Sequence, residues 1–343
     1  MSAFAPCVNL RTLGHGITGV QRYLSDLLPH MPSELASLKP ARPLLGIKGH
    51  LWEQFCLPVR LGKRLLWSPG NTGPIGVSRQ VLTVHDLASL DHPEWFNQTF
   101  ARWYAVLLPI LIRKVRAIIT VSKFSKERIL ERTGVSPERV HVIPNGIDPR
   151  FRPADADKIK ELASRYGLTT PYVLSVGSLE PRKNVRLLLD AWRLGRFDGA
   201  TLVIVGASSH VFAKLELGSF PDTVRLLGRI ADEALPVLYS GAAGFVYPSV
   251  YEGFGFPPLE ALACGCPLLV SDIPVHREVC LDAGQYFDPG CAHSLVAQLD
   301  SLLRLDRSQC NLLKDRGIAR AAAHRWEQAA HATWQVIRLA GAE

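Results

Sequence analysis

The sequence predicts an α/β protein of two doubly wound domains, and three observations carry that reading. From Tyr172 to Ser271, short apolar runs ending in turn residues alternate with helical segments. This is the pattern of buried parallel strands joined by crossover helices. Residues 1–150 hold 19 Lys and Arg against 10 Asp and Glu, whereas residues 151–343 hold 20 against 21. The length of 343 residues suits two domains of ordinary size, each able to bury a core.

Apolar content of 47% and charged content of 20% describe a globular chain. Met1 to Leu10 has no basic region followed by an apolar core, so no secretory leader is expected. The longest apolar run, Tyr104 to Ile112, is too short to span a bilayer and contains Pro109. The seven cysteines are odd in number and lack framework spacing, and Cys264-Gly265-Cys266 has apolar flanks. Buried free thiols in a reducing cytosol are expected, not a zinc site. The location expected is cytoplasmic, extending to the inner face of the plasma membrane.

The first strand is Cys7 to Leu10, and Val20 to Leu28 reads as an amphipathic helix. Between them Gly14, Gly16 and Gly19 spell G-x-G-x-x-G. A dinucleotide fingerprint would need an acid ending the second strand. The candidate second strand, Pro43 to Ile47, runs into Lys48 instead. The glycine loop is therefore read as a close backbone approach to a phosphate or sugar, with a simple tight turn as the alternative.

Leu65 to Pro69 and Gln80 to Val84 are the next buried strands. The second ends in His85-Asp86, at the strand end where α/β sheets bind ligands. His92-Pro93-Glu94-Trp95-Phe96 is either an acceptor-docking loop or a packed aromatic loop. Phe100 to Arg132 is the most basic region. It reads either as an interfacial surface for anionic lipid or as a core helix with a solvated basic edge. Ala117 to Val121 is a strand, and Ser122 to Lys126 opens a helix. Arg139 to Asp148 is a strand and turn, and Pro149 to Asp157 is a Pro-rich charged linker. Asp155-Ala156-Asp157 lies in that linker with no strand before it, so it is read as solvated and not as a metal site.

In the second half Tyr172 to Val176 is a strand, and Gly177-Ser178-Leu179-Glu180-Pro181-Arg182-Lys183-Asn184 is a loop before a helix. Two adjacent cations there make either a seat for a diphosphate or, taken by themselves, a solvated basic turn. Thr201 to Val205, Val224 to Leu227 and Gly244 to Tyr247 are further strands. Tyr247 to Ser271 follows, with Glu252 on a loop and Glu260 on the first turn of the helix behind it. Trp326 to Ala340 is a final amphipathic helix.

Glu252 and Glu260 bracket seven residues, including Gly253, Phe254, Gly255 and Phe256. This E-x7-E stretch, with the GSLEPRKN loop upstream, resembles glycosyltransferase family 4 over nearly the whole chain. The family's common pattern has an Arg directly after the first Gly of that loop, where this chain has Ser178. Arg182 takes its place, as in a subgroup reading G-x-x-x-P-R-K-N. Gly19-Val20-Gln21-Arg22-Tyr23 and His92 to Phe96 look like bacterial mannosyl- and rhamnosyltransferases of polysaccharide assembly.

The resemblance implies a GT-B fold of two Rossmann-like domains facing a cleft. Residues 1–150 would form the acceptor side, 151–325 the nucleotide-sugar side, and 326–343 a helix crossing back. It implies a retaining hexosyl transfer with no bound metal and no cofactor. The donor would be a nucleotide sugar, GDP-mannose before UDP-glucose or dTDP-rhamnose. The acceptor would be a glycan or lipid-linked glycan, with peripheral contact to an anionic membrane.

By the same resemblance Arg182 and Lys183 neutralise the leaving diphosphate, and Glu252 accepts from donor sugar hydroxyls beside the N–H groups of Gly253 to Phe256. Glu260 holds the ribose, backbone at Arg229 and Ile230 reads the base, Gly16 to Gly19 approach the donor, and His85 sits by the reacting sugar. Two other classes compete. An NAD(P)-dependent dehydrogenase lacks its second-strand acid. A non-catalytic basic protein binding membrane or nucleic acid would have lost Glu252, Glu260 or Lys183, and no nucleic-acid recognition motif accompanies the charge.

Overall fold

A computed structural model describes residues 6–14, 19–197, 199–207, 211–212 and 220–342. The chain divides into two compact units. One comprises Met1–Pro93, Gln98–Gly146 and Arg325–Glu343, and the other Glu94–Asn97 and Ile147–His324.

The first unit holds six strands, β1 (Cys7–Asn9), β2 (Ala36–Leu38), β3 (Leu66–Ser68), β4 (Gln80–Val84), β5 (Ala117–Thr120) and β6 (Val140–Val142). All pairings are parallel, in the order β2-β1-β3-β4-β5-β6. The strand order reverses between β1 and β3, and in open α/β sheets ligands bind beyond the carboxyl ends at such a point. The helix Gln98–Lys114 buries Leu107, Leu108, Leu111 and Ile112 against Leu82, Val84 and Ile118. Each such side chain contributes about 1.5–3 kcal/mol when fully buried. The last helix, Trp326–Ala342, packs within this unit. Its final carbonyls accept from Arg116 Nη1 (Ala340 O, 2.6 Å) and Arg79 Nη2 (Gly341 O, 3.2 Å), which satisfies groups a helix end leaves open.

The second strand is not Pro43 to Ile47. Ala36-Ser37-Leu38 takes the ladder on β1, with Cys7 opposite Ala36. Pro43 has no N–H to give a ladder. Gly46, at φ +55°, opens a helix over Gly46–Leu51. That helix continues through a π-helical turn, Trp52–Cys56, into Leu57–Leu61.

The second unit holds β7 (Tyr172–Val176), β8 (Thr201–Val205), β9 (Val224–Gly228), β10 (Gly244–Tyr247), β11 (Leu268–Ser271) and β12 (Gly284–Phe287). They are again parallel, in the order β12-β11-β10-β7-β8-β9. Here the order reverses between β7 and β10. Leu188, Leu189 and Trp192 of the helix Val185–Leu194 pack with Leu295, Leu299 and Leu302 of the helix Ala292–Leu303. The charged linker is shorter than the sequence suggests, because Asp155 stands at the N-terminus of a helix, Ala156–Tyr166.

Candidate active site

The loops that leave β7 and β10 meet at the reversal point of the second sheet. Val250 N donates to Arg182 O (2.9 Å), and Ser249 Oγ donates to the same oxygen (3.1 Å). This joins the Arg182-Lys183 turn to the Glu252 loop. Gly206, directly after β8, carries φ +153°, and a Cβ there would lie 1.7 Å from Gly177 O. Only glycine lets the backbone approach so closely.

Arg182, Lys183 and Glu252 form one ion cluster. Arg182 Nη1 lies 2.7 Å from Glu252 Oε2, and its Nε lies 2.7 Å from Glu180 Oε1. Lys183 Nζ donates to Glu252 Oε1 and to the Tyr247 hydroxyl. Tyr247 and Ser249 donate in turn to Glu252 Oε1. Glu180 is fully buried, and Glu252 and Lys183 nearly so.

Two cations and two carboxylates balance, as buried charges must. Burial pushes the Glu252 carboxyl up, but Arg182 and Lys183 overcome this and hold it below the usual carboxylate range. Burial and the neighbouring Arg182 push the Lys183 ammonium down, while Glu252 and Glu180 pull it back. Burial raises Glu180. Glu252 Oε1 is thus saturated with donors, and Oε2 keeps a lone pair beyond its bond to Arg182.

Gly255, at φ +97°, precedes the helix Phe256–Ala263. That start puts Glu260 in the second turn, not the first, because the left-handed glycine lets the helix begin ahead of Pro257 and Pro258. Glu260 is buried and accepts from the Tyr239 hydroxyl (3.0 Å). Phe254 is buried between Phe256 and His324, with ring centroids 5.7 and 5.6 Å away. Its ring belongs to the core, and only the backbone of Gly253 to Phe256 is in question as a ligand contact. Arg229 and Ile230 follow β9 at the far edge of the sheet; Arg229 is exposed and Ile230 half-buried.

His276 is a group that the sequence does not single out. Its ring is fully buried under Gly255 and beside Tyr247 (centroids 5.6 Å apart). Nδ1 lies 2.9 Å from Ser271 O, so Nδ1 carries the proton and donates. Nε2 is buried with no hydrogen-bond partner among the described residues. Burial lowers this imidazole to about 4.

His85 lies in the first unit, directly after β4. Its Nε2 stands 2.8 Å from Pro69 O at the end of β3, and its N–H donates to Asn71 Oδ1 (2.7 Å). Tyr23 meets the ring edge-on at 4.8 Å. Burial lowers its pKa, so the ring is neutral, with Nε2–H donating and Nδ1 left as an acceptor. Gly19 begins the helix Gly19–Leu27, and Gly16 lies outside the described residues.

Beneath this region Glu53, fully buried, accepts from Asn9 Nδ2 (2.7 Å) and Thr72 Oγ1 and pairs with Arg11 Nε (3.1 Å). It ties the end of β1 and the segment after it to the segment that follows β3. Among the described residues no group of three or more His, Cys, Asp or Glu is placed to hold a metal ion.

Residues 159–320 match the family described as glycosyl transferases group 1, and residues 66–151 the one described as glycosyltransferase family 4. Over 274 residues the chain is 31% identical to O-antigen chain mannosyltransferase B of Escherichia coli, covering 78% of this chain and 72% of that relative. The chain belongs to glycosyltransferase family 4. This glycosyltransferase is also 30% identical over 329 residues to the MMP alpha-(1->4)-mannosyltransferase of Mycolicibacterium hassiacum, covering 89% and 74% of the two chains.

Its fold matches Anabaena HepE, solved with UDP and glucose, at a TM-score of 0.76 and 17% identity over 98% and 99% of the two chains. It matches WaaG, a glycosyltransferase involved in lipopolysaccharide biosynthesis, at 0.74 and 14% over 97% and 99%. At those identities the likeness speaks for fold, and the fold is GT-B.

Proposed function

We propose that this glycosyltransferase moves mannose from GDP-mannose to a glycan or lipid-linked glycan acceptor in polysaccharide assembly, with retention and without a bound metal. The observation that carries this reading is the Arg182–Lys183–Glu252 cluster at the reversal point of the second sheet. The mannosyltransferase relatives support the choice of sugar.

In the transfer, the bond from the anomeric carbon to the β-phosphate oxygen breaks, a bond from that carbon to the acceptor oxygen forms on the same face, and charge develops on the diphosphate. Arg182 and Lys183 stabilise that charge, work a metal does elsewhere. Glu252 holds both cations in place, and its Oε2 has a lone pair for a donor sugar hydroxyl. The N–H groups of Gly253 to Phe256 are assigned to the donor sugar alongside it. Glu260 holds the ribose diol, backbone at Arg229 and Ile230 reads the base, and Gly16 and Gly19 are assigned to the approach to the donor. His85 is assigned to the reacting sugar as a neutral acceptor. The departing phosphate takes the proton of the acceptor hydroxyl.

The test is nucleoside diphosphate release from GDP-mannose, UDP-glucose and dTDP-rhamnose, each with and without EDTA, with the product anomer read by NMR. GDP release from GDP-mannose, unchanged by EDTA and giving the donor's own anomer, is expected. Turnover of another donor alone, loss with EDTA, or the opposite anomer contradicts the reading.

A further inference from the structure

The ion cluster of the second unit holds one carboxylate that the transfer leaves without a task. Glu180 is fully buried, and its Oε1 pairs with Arg182 Nε at 2.7 Å. The two carboxylates of the cluster stand in different surroundings. Glu252 accepts from Arg182 Nη1, Lys183 Nζ, the Tyr247 hydroxyl and Ser249 Oγ. Glu180 is faced by Arg182, Lys183 and Ser178 of its own loop, by Glu252 of the loop after β10, and by the neutral Tyr247 hydroxyl at the end of β10.

Arg182 and Lys183 thus serve both carboxylates, and Glu252 repels the charge of Glu180. Burial raises the Glu180 carboxyl above its ordinary value of 4.5, whereas Arg182 and Lys183 hold Glu252 below that value in spite of burial. Two neighbouring carboxylates driven apart in this way divide their roles. One stays an anion, and the other is where a proton goes.

The charges decide when it goes there. Without a ligand, two cations balance two carboxylates. The diphosphate of a nucleotide sugar adds two negative charges, and its esterified phosphates exchange no proton near neutrality. On Arg182 and Lys183 it would set those cations against an excess of negative charge in a buried place, where water screens little. Protonating Glu252 would release both cations from their anchor. Protonating Glu180 removes one charge and leaves that anchor intact.

We propose that Glu180 takes up a proton from solvent when a nucleotide-sugar diphosphate binds at Arg182 and Lys183, and returns it when the nucleotide leaves. This rests on the reading of the cluster as the donor seat. Where Glu180 is ionised in the free protein and protonated in the complex, donor affinity falls as pH rises, by up to about tenfold per pH unit. Lys183 is the rival proton acceptor, because burial lowers its ammonium and a diphosphate would favour the charged form.

The test is titration calorimetry with GDP-mannose, UDP-glucose and dTDP-rhamnose, without acceptor, in Pipes and in Tris. The buffers differ in ionisation enthalpy, so the difference in heat counts protons. At about pH 7.5, wild type should take up about one proton for each donor bound. From about pH 6.5 to about pH 8.5 its affinity should fall at least about tenfold. Glu180→Gln keeps an oxygen for Arg182 Nε and carries no charge. Its proton uptake should be near zero and its affinity flat with pH. At the alkaline end it should bind donor about tenfold more tightly than wild type. Loss of a residue that only propped Arg182 would instead weaken binding at every pH.

Donor binding by wild type without proton uptake overturns the proposal, needs no variant, and leaves the donor seat standing. Uptake that persists in Glu180→Gln also overturns it and assigns the proton to Lys183. Binding of none of the three donors contradicts the donor seat itself, and the proposal falls with it.

Discussion

Arg182 Nη1 lies 2.7 Å from Glu252 Oε2, and Lys183 Nζ holds the other oxygen of the same carboxylate. One buried anion therefore fixes both cations that the sequence offers for a diphosphate. In the proposed transfer a donor diphosphate would meet cations already oriented, with Lys183 buried and Arg182 half-buried. Such preorganised charge is worth more in transfer than charge that must first be gathered from water.

Glu252→Gln keeps the shape of this cluster and removes its central charge. Arg182 and Lys183 then share only Glu180, and breaking a buried pair costs about 3–5 kcal/mol. Urea unfolding at neutral pH should show a loss of that order. The sign with pH follows from the lowered carboxyl. The wild-type advantage is present above the ordinary carboxylate value of 4.5 and is lost as pH falls below it towards the folded value. The two proteins should therefore converge in acid.

Lys183→Ala removes a cation proposed to neutralise the leaving diphosphate, while Arg182 still satisfies Glu252. Transfer should fall at least about tenfold, or about 1.4 kcal/mol in the barrier. Steady-state kinetics with GDP-mannose check this, and an unchanged circular dichroism spectrum shows that the fold survives.

Glu260→Ala should weaken GDP binding roughly tenfold or more, about 1.4 kcal/mol, by titration calorimetry. Tyr239→Phe, which removes the hydroxyl that donates to Glu260 Oε2, should weaken it less.

The strands were legible because a parallel strand buried on both faces is a continuous apolar run. Gln80–Val84, Tyr172–Val176 and Thr201–Val205 all show it. Ala36–Leu38 does not. It is a short edge strand, none of its residues fully buried, so Pro43 to Ile47 looked the better candidate. The E-x7-E spacing brings Glu252 and Glu260 to notice, but the bond from Arg182 to Glu252 spans 70 residues. No local pattern shows that the carboxylate is engaged by both cations. Glu53 and His276 were missed for the same reason, since a lone Glu in a helix and a lone His carry no signal until the chain folds around them.

His276→Asn isolates one of those hidden groups, because the Asn amide can replace Nδ1 as donor to Ser271 O. In wild type the buried ring resists protonation, with its value lowered from 6.5 to about 4. Between those values the unfolded chain takes up a proton that the folded chain refuses, so stability falls as pH falls, by up to about 3 kcal/mol. Above pH 6.5 the ring is neutral in both states and contributes nothing. Unfolding measured from pH 7 to pH 4 should show a shallower decline in the variant, and parallel curves would contradict this assignment.

On the proposed function, the Arg182–Lys183–Glu252 cluster seats a nucleoside diphosphate. The most direct measurement is a thermal-shift titration of wild type and Lys183→Ala with GDP, UDP, dTDP and NADH, with and without EDTA. GDP should stabilise wild type, unaffected by EDTA, and stabilise the variant far less. Stabilisation by NADH alone, or an identical response from the two proteins, would contradict it.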